Sequence, residues 1–334
     1  MASYDRALAI RKDYADAHYN RSLSLLIAGD YARGFEQYEW RSRRSGMPPH
    51  RRELCTPLWL GQYAISGKTI LLHAEQGLGD TIQFVRYVLL LARAGAKVVV
   101  EAQPELAGLL ATVDGIDRII ARGEKLPVFD FHCPMPSLPL AFRTRIDGIP
   151  AEIPYLRASA ERLHKWRPRM ASLGKPCIAL AWSGNPAHTN DRHRSMALPH
   201  LDPLLATPGV RFLGIQRELR AGEAELLGDD RRIVHLGGEM GDFTDTAAVI
   251  ALADLVISVD TAVAHLAGAM GKPVWVLLPF APDWRWMLDR EDCPWYPTAR
   301  LFRQPATRDW ESVITCVQTE LTRLFGETQA AAGY

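Results

Sequence analysis

Residues 69–102 read TILLHAEQGLGDTIQFVRYVLLLARAGAKVVVEA. The opening TILLHA is apolar without alternation and runs into glycine turn signals. This fits a strand buried on both faces, as in a parallel sheet. A helical stretch follows to about Ala94, and AKVVVEA is again a continuous apolar strand. Strand, helix and strand in succession predict parallel pairing through a helical crossover. Outward from this stretch, Pro104 opens a helix, DRIIA (117–121) is a third strand and PVFDFH (127–132) a fourth. Pro134, Pro136, Pro139, Pro150 and Pro154 then interrupt the rhythm and mark a boundary near 145–160.

A second α/β series follows, with strands PCIALAW, VRFLGI, RIVHL, LVISV and PVWVLL. Helices fit between them, notably Thr244 to Ala253 and Thr261 to Met270, and a last helix runs from about Arg308 to Phe325. The reading is α/β: two Rossmann-like, doubly wound domains, residues 68–156 and 157–307, facing a cleft across a proline-rich hinge. Residues 308–326 form a terminal helix expected to pack back toward the first of them. Ligands of such sheets lie at the carboxyl ends of the strands.

Residues 1–44 read as helical. Tyr4, Ala7, Leu8 and Ile10 repeat at helical spacing; a second helix spans Ala15 to Ala28, Gly29-Asp30 breaks it, and a third starts at Tyr31. The stretch DYADAHYNRSLSLLIAGDYARGFEQYEWR resembles one tetratricopeptide repeat (TPR) unit. Ser22 and Gly34 sit where two helices approach, with Leu25 and Tyr38 as large partners, and residues 1–14 resemble the second helix of a preceding repeat. Stacked repeats need roughly three copies for independent stability, so this piece either packs on the rest of the chain or ends a longer array. Residues 45–67, with Pro48, Pro49, Pro57, Gly61 and Gly67, read as a linker; its Arg43, Arg44, Arg51 and Arg52 fit a solvated basic loop.

The chain has 334 residues, 48% apolar and 23% charged, with a net charge of +1. That length can bury a full core without disulfides, and the near-neutral charge argues against a whole-protein field for nucleic acid. Cys55, Cys133, Cys177, Cys293 and Cys316 are odd in number and form no CxxC pair, which speaks against a disulfide framework or a zinc site. No apolar run approaches the roughly 20 residues that span a bilayer, and the first residues lack a signal-peptide core. The expectation is a cytoplasmic protein, with peripheral docking on the inner membrane left open.

Three motifs carry polar chemistry. HAEQGLGDTIQF (73–84) places Gly77 and Gly79 in a tight turn and Asp80 at the start of the next helix. A capping Asp, worth about 1 kcal/mol, is the plain reading. A dinucleotide site is the rival one, with Glu101 as the ribose acid; Ile82 stands where its third glycine is needed. SVDTAVAHLAGAMGKPVWVLLP (258–279) runs a strand into Asp260-Thr261, a helix start, with His265 one turn on. Helix-start N–H groups beside an imidazole suit a diphosphate. AWSGNPAHTNDRHRSMAL (181–198) forms a polar turn at Ser183, Gly184 and Asn185 and then supplies Arg192 and Arg194, whose paired donors suit phosphate. In PFAPDWRWML (279–288), Phe280, Trp284 or Trp286 can stack on a base or sugar, with core packing as the competing reading. Gln216 is a further candidate contact to base or sugar.

The order of these motifs resembles glycosyltransferase family 9, the heptosyltransferases of lipopolysaccharide assembly, over about residues 68–326. The matching pieces are Gly79-Asp80, a basic residue after the first strand of the second domain (Arg194, or Arg192 with a slipped alignment), Asp260-Thr261 with His265, and the Gly271–Pro273 turn. The family usually has lysine at the basic position. With its helical start, the chain looks like bacterial proteins that join TPR repeats to a family-9-like domain. The resemblance implies the two-domain GT-B fold and an inverting, metal-independent transfer from a nucleotide-diphosphate sugar to a hydroxyl of a glycan, lipid-linked glycan or protein. No cofactor is implied, and Asp80 would be the general base. The sequence has no Asp-x-Asp pair of the kind that holds a metal on the diphosphate in GT-A enzymes. It also lacks a GxSxG elbow, which disfavours a hydrolase. The alternatives are a catalytically inactive TPR adaptor that binds sugar nucleotides, and an NAD-dependent oxidoreductase. A protein partner through the TPR piece is a further expectation.

Overall fold

The computed structural model describes residues 1–44, 54–174 and 176–331, the last six as backbone alone. Two units emerge: residues 1–152 with 283–290, and residues 153–282 with the chain from 291 onward. No helix among the described residues is long and apolar enough to cross a membrane.

The first unit begins with helices α1 (Ala2–Ile10), α2 (Ala15–Ile27) and α3 (Tyr31–Tyr38), followed by a 3-10 turn over Glu39–Arg43. Asp30 caps α3 by accepting from the Arg33 N–H at 3.2 Å. Helices α2 and α3 approach closely at Gly34, where a β-carbon would lie 2.6 Å from Leu26 Cδ2. Ser22 is buried, as its small size suggested.

These helices are fastened to the sheet of the same unit. The buried Arg41 guanidinium donates to Glu75 (2.9 and 3.1 Å), Glu39 (2.6 Å) and Ser137 Oγ (2.6 Å). Burial works against its charge, and Glu39 and Glu75 outweigh that. Gln76 Nε2 donates to the Tyr38 hydroxyl at 2.9 Å.

The sheet comprises β1 (Thr69–His73), β2 (Lys97–Ala102), β3 (Arg118–Ala121) and β4 (Phe131–Pro134), all parallel in the order β3-β2-β1-β4. One face, through Ile70, Leu72, Val98 and Val100, is fully buried. The other packs Leu71, Val99 and Ile120 against Leu54, Leu126 and Phe129. The fourth strand starts later than PVFDFH suggested, because the Asp130 carboxylate accepts from the Thr69 N–H (2.8 Å) and ends the preceding loop. The helix after β1 is also broken, into α4 (Leu78–Phe84), a 3-10 turn and α5 (Val88–Arg93).

The stretch read as a linker behaves differently where it is described. Residues 45–53, with Pro48, Pro49, Arg51 and Arg52, lie outside the described residues. Beyond them Leu58 bridges to His132, and Trp59 is buried, its backbone N–H donating to the His132 carbonyl at 2.8 Å and its indole N–H to the Tyr63 carbonyl at 3.0 Å. Burying one indole outweighs the loop character of the surrounding Pro and Gly.

The second unit carries β5 (Cys177–Ala181), β6 (Arg211–Gly214), β7 (Ile233–His235), β8 (Leu255–Val259), β9 (Val274–Leu278) and β10 (Ala299–Arg303). The sheet is parallel throughout, in the order β10-β9-β8-β5-β6-β7. The direction of winding reverses between β5 and β8, where such sheets open a crevice for ligands. The edge strand β10 was missed in the sequence. Arg300 and Arg303 keep it half-exposed, so it lacks the continuous apolar run that marks the strands inside.

The last helix, Trp310–Ala331, places Trp310, Val313, Ile314, Val317 and Leu321 in the core of the second unit with Leu201, Leu204 and Leu205. Gln318 Nε2 adds a hydrogen bond to the Pro203 carbonyl at 2.6 Å.

Candidate functional site

At the β5/β8 switch point the two motifs of the second unit meet. The turn after β5 is held from beneath: the Ser183 N–H donates to Gln216 Oε1 (3.2 Å) and the Gly184 N–H to Ser195 Oγ (2.9 Å). Ser195 in turn donates to Asp191 at 2.7 Å. Burial alone would raise the Asp191 carboxyl, but hydrogen bonds from Arg220 and Ser195 hold it below the usual carboxylate range. The Arg194 side chain folds over the turn, so a β-carbon at Gly184 would sit 2.7 Å from its Nη2. Its Nη1 donates to the Asp260 carbonyl at the end of β8, at 2.9 Å.

Two buried polar atoms at this junction, Ser183 Oγ and Arg194 Nε, have no hydrogen-bond partner among the described residues, the latter standing 3.8 Å from Asp191 Oδ1. Unsatisfied buried donors are costly, and an anion would satisfy both. Arg192, the other candidate, is exposed and donates to His193 Nε2 at 3.0 Å. The structure therefore brings Arg194 and not Arg192 to the junction. Asn185 is exposed and only closes its own turn, accepting from the Ala187 N–H at 2.8 Å.

Thr261 rather than Asp260 caps the helix Ala262–Ala269, its hydroxyl accepting from the Val263 N–H at 3.3 Å. His265 is buried one turn on. Its Nδ1 meets the Tyr296 hydroxyl at 2.8 Å, and its Nε2 stands 3.9 Å from Asp260 Oδ1. Tyr296 was not singled out in the sequence. It reaches the imidazole because Gly268 leaves room for its ring; a β-carbon there would overlap it. Gly268→Ala is accordingly expected to overpack the site and destabilise the protein by about 1–3 kcal/mol, read as a lowered thermal midpoint. An unchanged midpoint would mean that the ring moves freely.

In the first unit the corresponding reversal lies between β1 and β4; of the glycines read as a tight turn, Gly77 is the N-cap of α4 and Gly79 already lies in that helix with Asp80. Asp80 caps the helix start from its third position and is not itself the N-cap. It sits inside the first turn of α4 and reaches back, Oδ2 accepting from the Gly77 N–H at 2.9 Å. Its Oδ1 is paired with Arg285 Nη2. Burial raises the Asp80 carboxyl above the ordinary range; Arg285 opposes this, and Asp283 and Glu75 add to it. Ile82, where a dinucleotide fingerprint needs glycine, is wholly buried. Glu101, the ribose acid of that rival reading, is buried at the end of β2.

The aromatic candidates part ways. Trp284 is no base or sugar contact: it is buried in the first unit among Tyr31, Phe35 and Tyr38, with ring centroids 5.6–6.4 Å away. Trp286 is fully buried as well. Phe280 stays exposed under the Arg308 guanidinium, 5.4 Å from the ring centroid. Gln216 is buried as a support for the Ser183 turn. Arg285 was overlooked, although a cation between two tryptophans in an apolar run was its signal.

Residues 205–281 match the family model described as Glycosyltransferase family 9 (heptosyltransferase). The fold, α/β with parallel sheets, is similar to that of heptosyltransferases of known structure. Among particular proteins, Protein FlbA of Caulobacter vibrioides is 28% identical, over 93% of this chain and 55% of FlbA, so the chain spans about half the length of that relative. The E. coli ADP-heptose lps heptosyltransferase II superposes with a TM-score of 0.56 at 16% identity, over 78% of this chain and 99% of that one. A family 9 glycosyl transferase from Veillonella parvula gives 0.53 at 10% identity, over 72% and 87%.

Proposed function

We propose that the chain is an inverting, metal-independent glycosyltransferase that moves a sugar from a nucleotide-diphosphate donor to a hydroxyl acceptor. The observation that carries this reading is the junction at the β5/β8 switch point. There Arg194 spans from the Gly184 turn to the Asp260 carbonyl, beside Ser183 Oγ and the helix start at Thr261. A fixed guanidinium, orphaned donors and a helix N-terminus neutralise a leaving diphosphate, the task a divalent ion performs elsewhere. His265, held by Tyr296, adds an imidazole beside it.

On the acceptor side, Asp80 takes the proton from the attacking hydroxyl as that oxygen displaces the diphosphate from the anomeric carbon. A carboxyl raised by burial is a better base than a solvated one. The acceptor is a glycan, a lipid-linked glycan or a protein. We read the first three helices as a TPR piece that presents it. In support, Arg41 and Tyr38 grip Glu75 and Gln76, immediately ahead of the Asp80 loop. Five thiols with no disulfide fit a cytoplasmic setting.

The test is a thermal-shift panel of ADP, UDP and GDP sugars, where a ligand at 100 times its Kd stabilises by about 2.7 kcal/mol. Calorimetry on the best binder should show Arg194→Ala weakened roughly 10- to 100-fold, the effect of losing charge-assisted hydrogen bonds, and Arg192→Ala unchanged. Equal affinity in Arg194→Ala would remove the phosphate from this junction. Donor binding with neither transfer nor hydrolysis would leave a sugar-nucleotide adaptor in place of an enzyme.

A further inference from the structure

We infer that Arg285 is a positioning residue for the acceptor-side base, carried to Asp80 by a segment inserted between β9 and β10. This rests on the reading of Asp80 as the base.

Arg285 has a side chain 8% exposed and is held on every side. Its Nη1 donates to Asp283 (2.8 Å), its Nε pairs with Gln83 and its Nη2 with Asp80. Its guanidinium carbon lies 4.4 Å from the Trp284 ring centroid and 5.5 Å from that of Phe84. Trp284 itself is locked among the aromatic rings of α3.

With Oδ1 on Arg285 and Oδ2 on the Gly77 N–H, the plane of the Asp80 carboxylate is fixed from both ends. The side chain is still 21% exposed, enough to receive a proton from outside. The charged groups around it are Arg285, Asp283 and Glu75; Tyr38 and Tyr19 lie in the same field. Glu75 is itself paired with Arg41, whereas Asp283 has Arg285 as its partner. Without Arg285, the partly buried Asp80 carboxylate would face the uncompensated Asp283 and would take up a proton more readily. A protonated Asp80 cannot accept one from a substrate.

The experiment compares the full-length protein with Arg285→Met, Arg285→Lys and Asp80→Asn. Two readouts are used: ¹³C titration of the Asp80 carboxyl, assigned by its loss in Asp80→Asn, and the pH profile of hydrolysis of the tightest-binding sugar nucleotide among the ADP, UDP and GDP sugars. An opposite charge at this range shifts a carboxyl by roughly 1–3 pH units. Arg285→Met should therefore raise the Asp80 midpoint and the acid limb of hydrolysis together by that amount, while Arg285→Lys restores most of both. If Arg285→Met does not fold, a partial upward shift in Arg285→Lys supports the inference in its place. Titrations that superimpose on the wild type, or a loss of rate equal at every pH, overturn the inference alone, provided Asp80→Asn is inactive. Wild-type hydrolysis by Asp80→Asn overturns the base assignment and this inference with it.

Discussion

Asp80→Asn should fold, bind the sugar nucleotide as the wild type does and lose roughly 10²- to 10⁴-fold in turnover, the contribution of a general base. Asparagine keeps the shape of the side chain, and its amide oxygen can still accept from the Gly77 N–H, which Asp80 Oδ2 holds at 2.9 Å. The substitution removes the negative charge and the site that takes the proton. Donor affinity should not follow, because the proposed diphosphate contacts all lie in the second unit. The wild-type pH profile gives the companion result. Burial raises the Asp80 carboxyl, so rate should fall with falling pH at a midpoint above the ordinary aspartate value of about 3.9. A profile flat down to pH 4 would mean that Asp80 does not titrate in the step observed.

The second large effect concerns stability. Arg41→Met should destabilise the first unit by about 3 kcal/mol, because removing one partner of a buried ion pair leaves the others uncompensated. Arg41 is almost wholly buried, while Glu39 and Glu75 keep some water contact with side chains 23% and 19% exposed. That places the cost at the lower end of the buried range. The loss should be local as well as global. Amide exchange in α2 and α3 should quicken more than in β1 and β2, since Arg41 ties those helices to Glu75 and Ser137. Urea unfolding with an unmoved midpoint would show that the aromatic packing around Trp284 suffices without the guanidinium.

The parallel strands were legible because both of their faces are buried: TILLH, KVVVEA, LVISV and VWVLL are continuous apolar runs bounded by turns. The switch-point loops were legible for a related reason. Ser183 and Thr261 stand within two residues of a strand end, and Asp80 and Arg194 follow in the connections after β1 and β5, where polar and glycine residues break the apolar runs.

What sequence could not give was long-range placement. Trp284 was left between ligand contact and core packing; the packing is with Tyr31, Phe35 and Tyr38, far back along the chain, which spacing cannot indicate. Arg285 and Tyr296 were missed because their roles exist only through partners, Asp80 and His265, that spacing does not connect to them. Strand β10 was missed because an edge strand with two arginines lacks a buried strand's pattern.

The excursion of residues 283–290 into the first unit means that the polypeptide passes from one unit to the other three times, after Glu152, Pro282 and Arg290. No single cut can liberate either half intact. A fragment ending near residue 152 forfeits Trp284 from its aromatic cluster and the guanidinium that neutralises Asp80. A fragment starting at 153 carries those residues without their sockets, leaving two large indoles and a charge to be solvated. Domain dissection of this protein is therefore a matter of grafting 283–290 onto the earlier piece, or of circular permutation, and not of simple truncation.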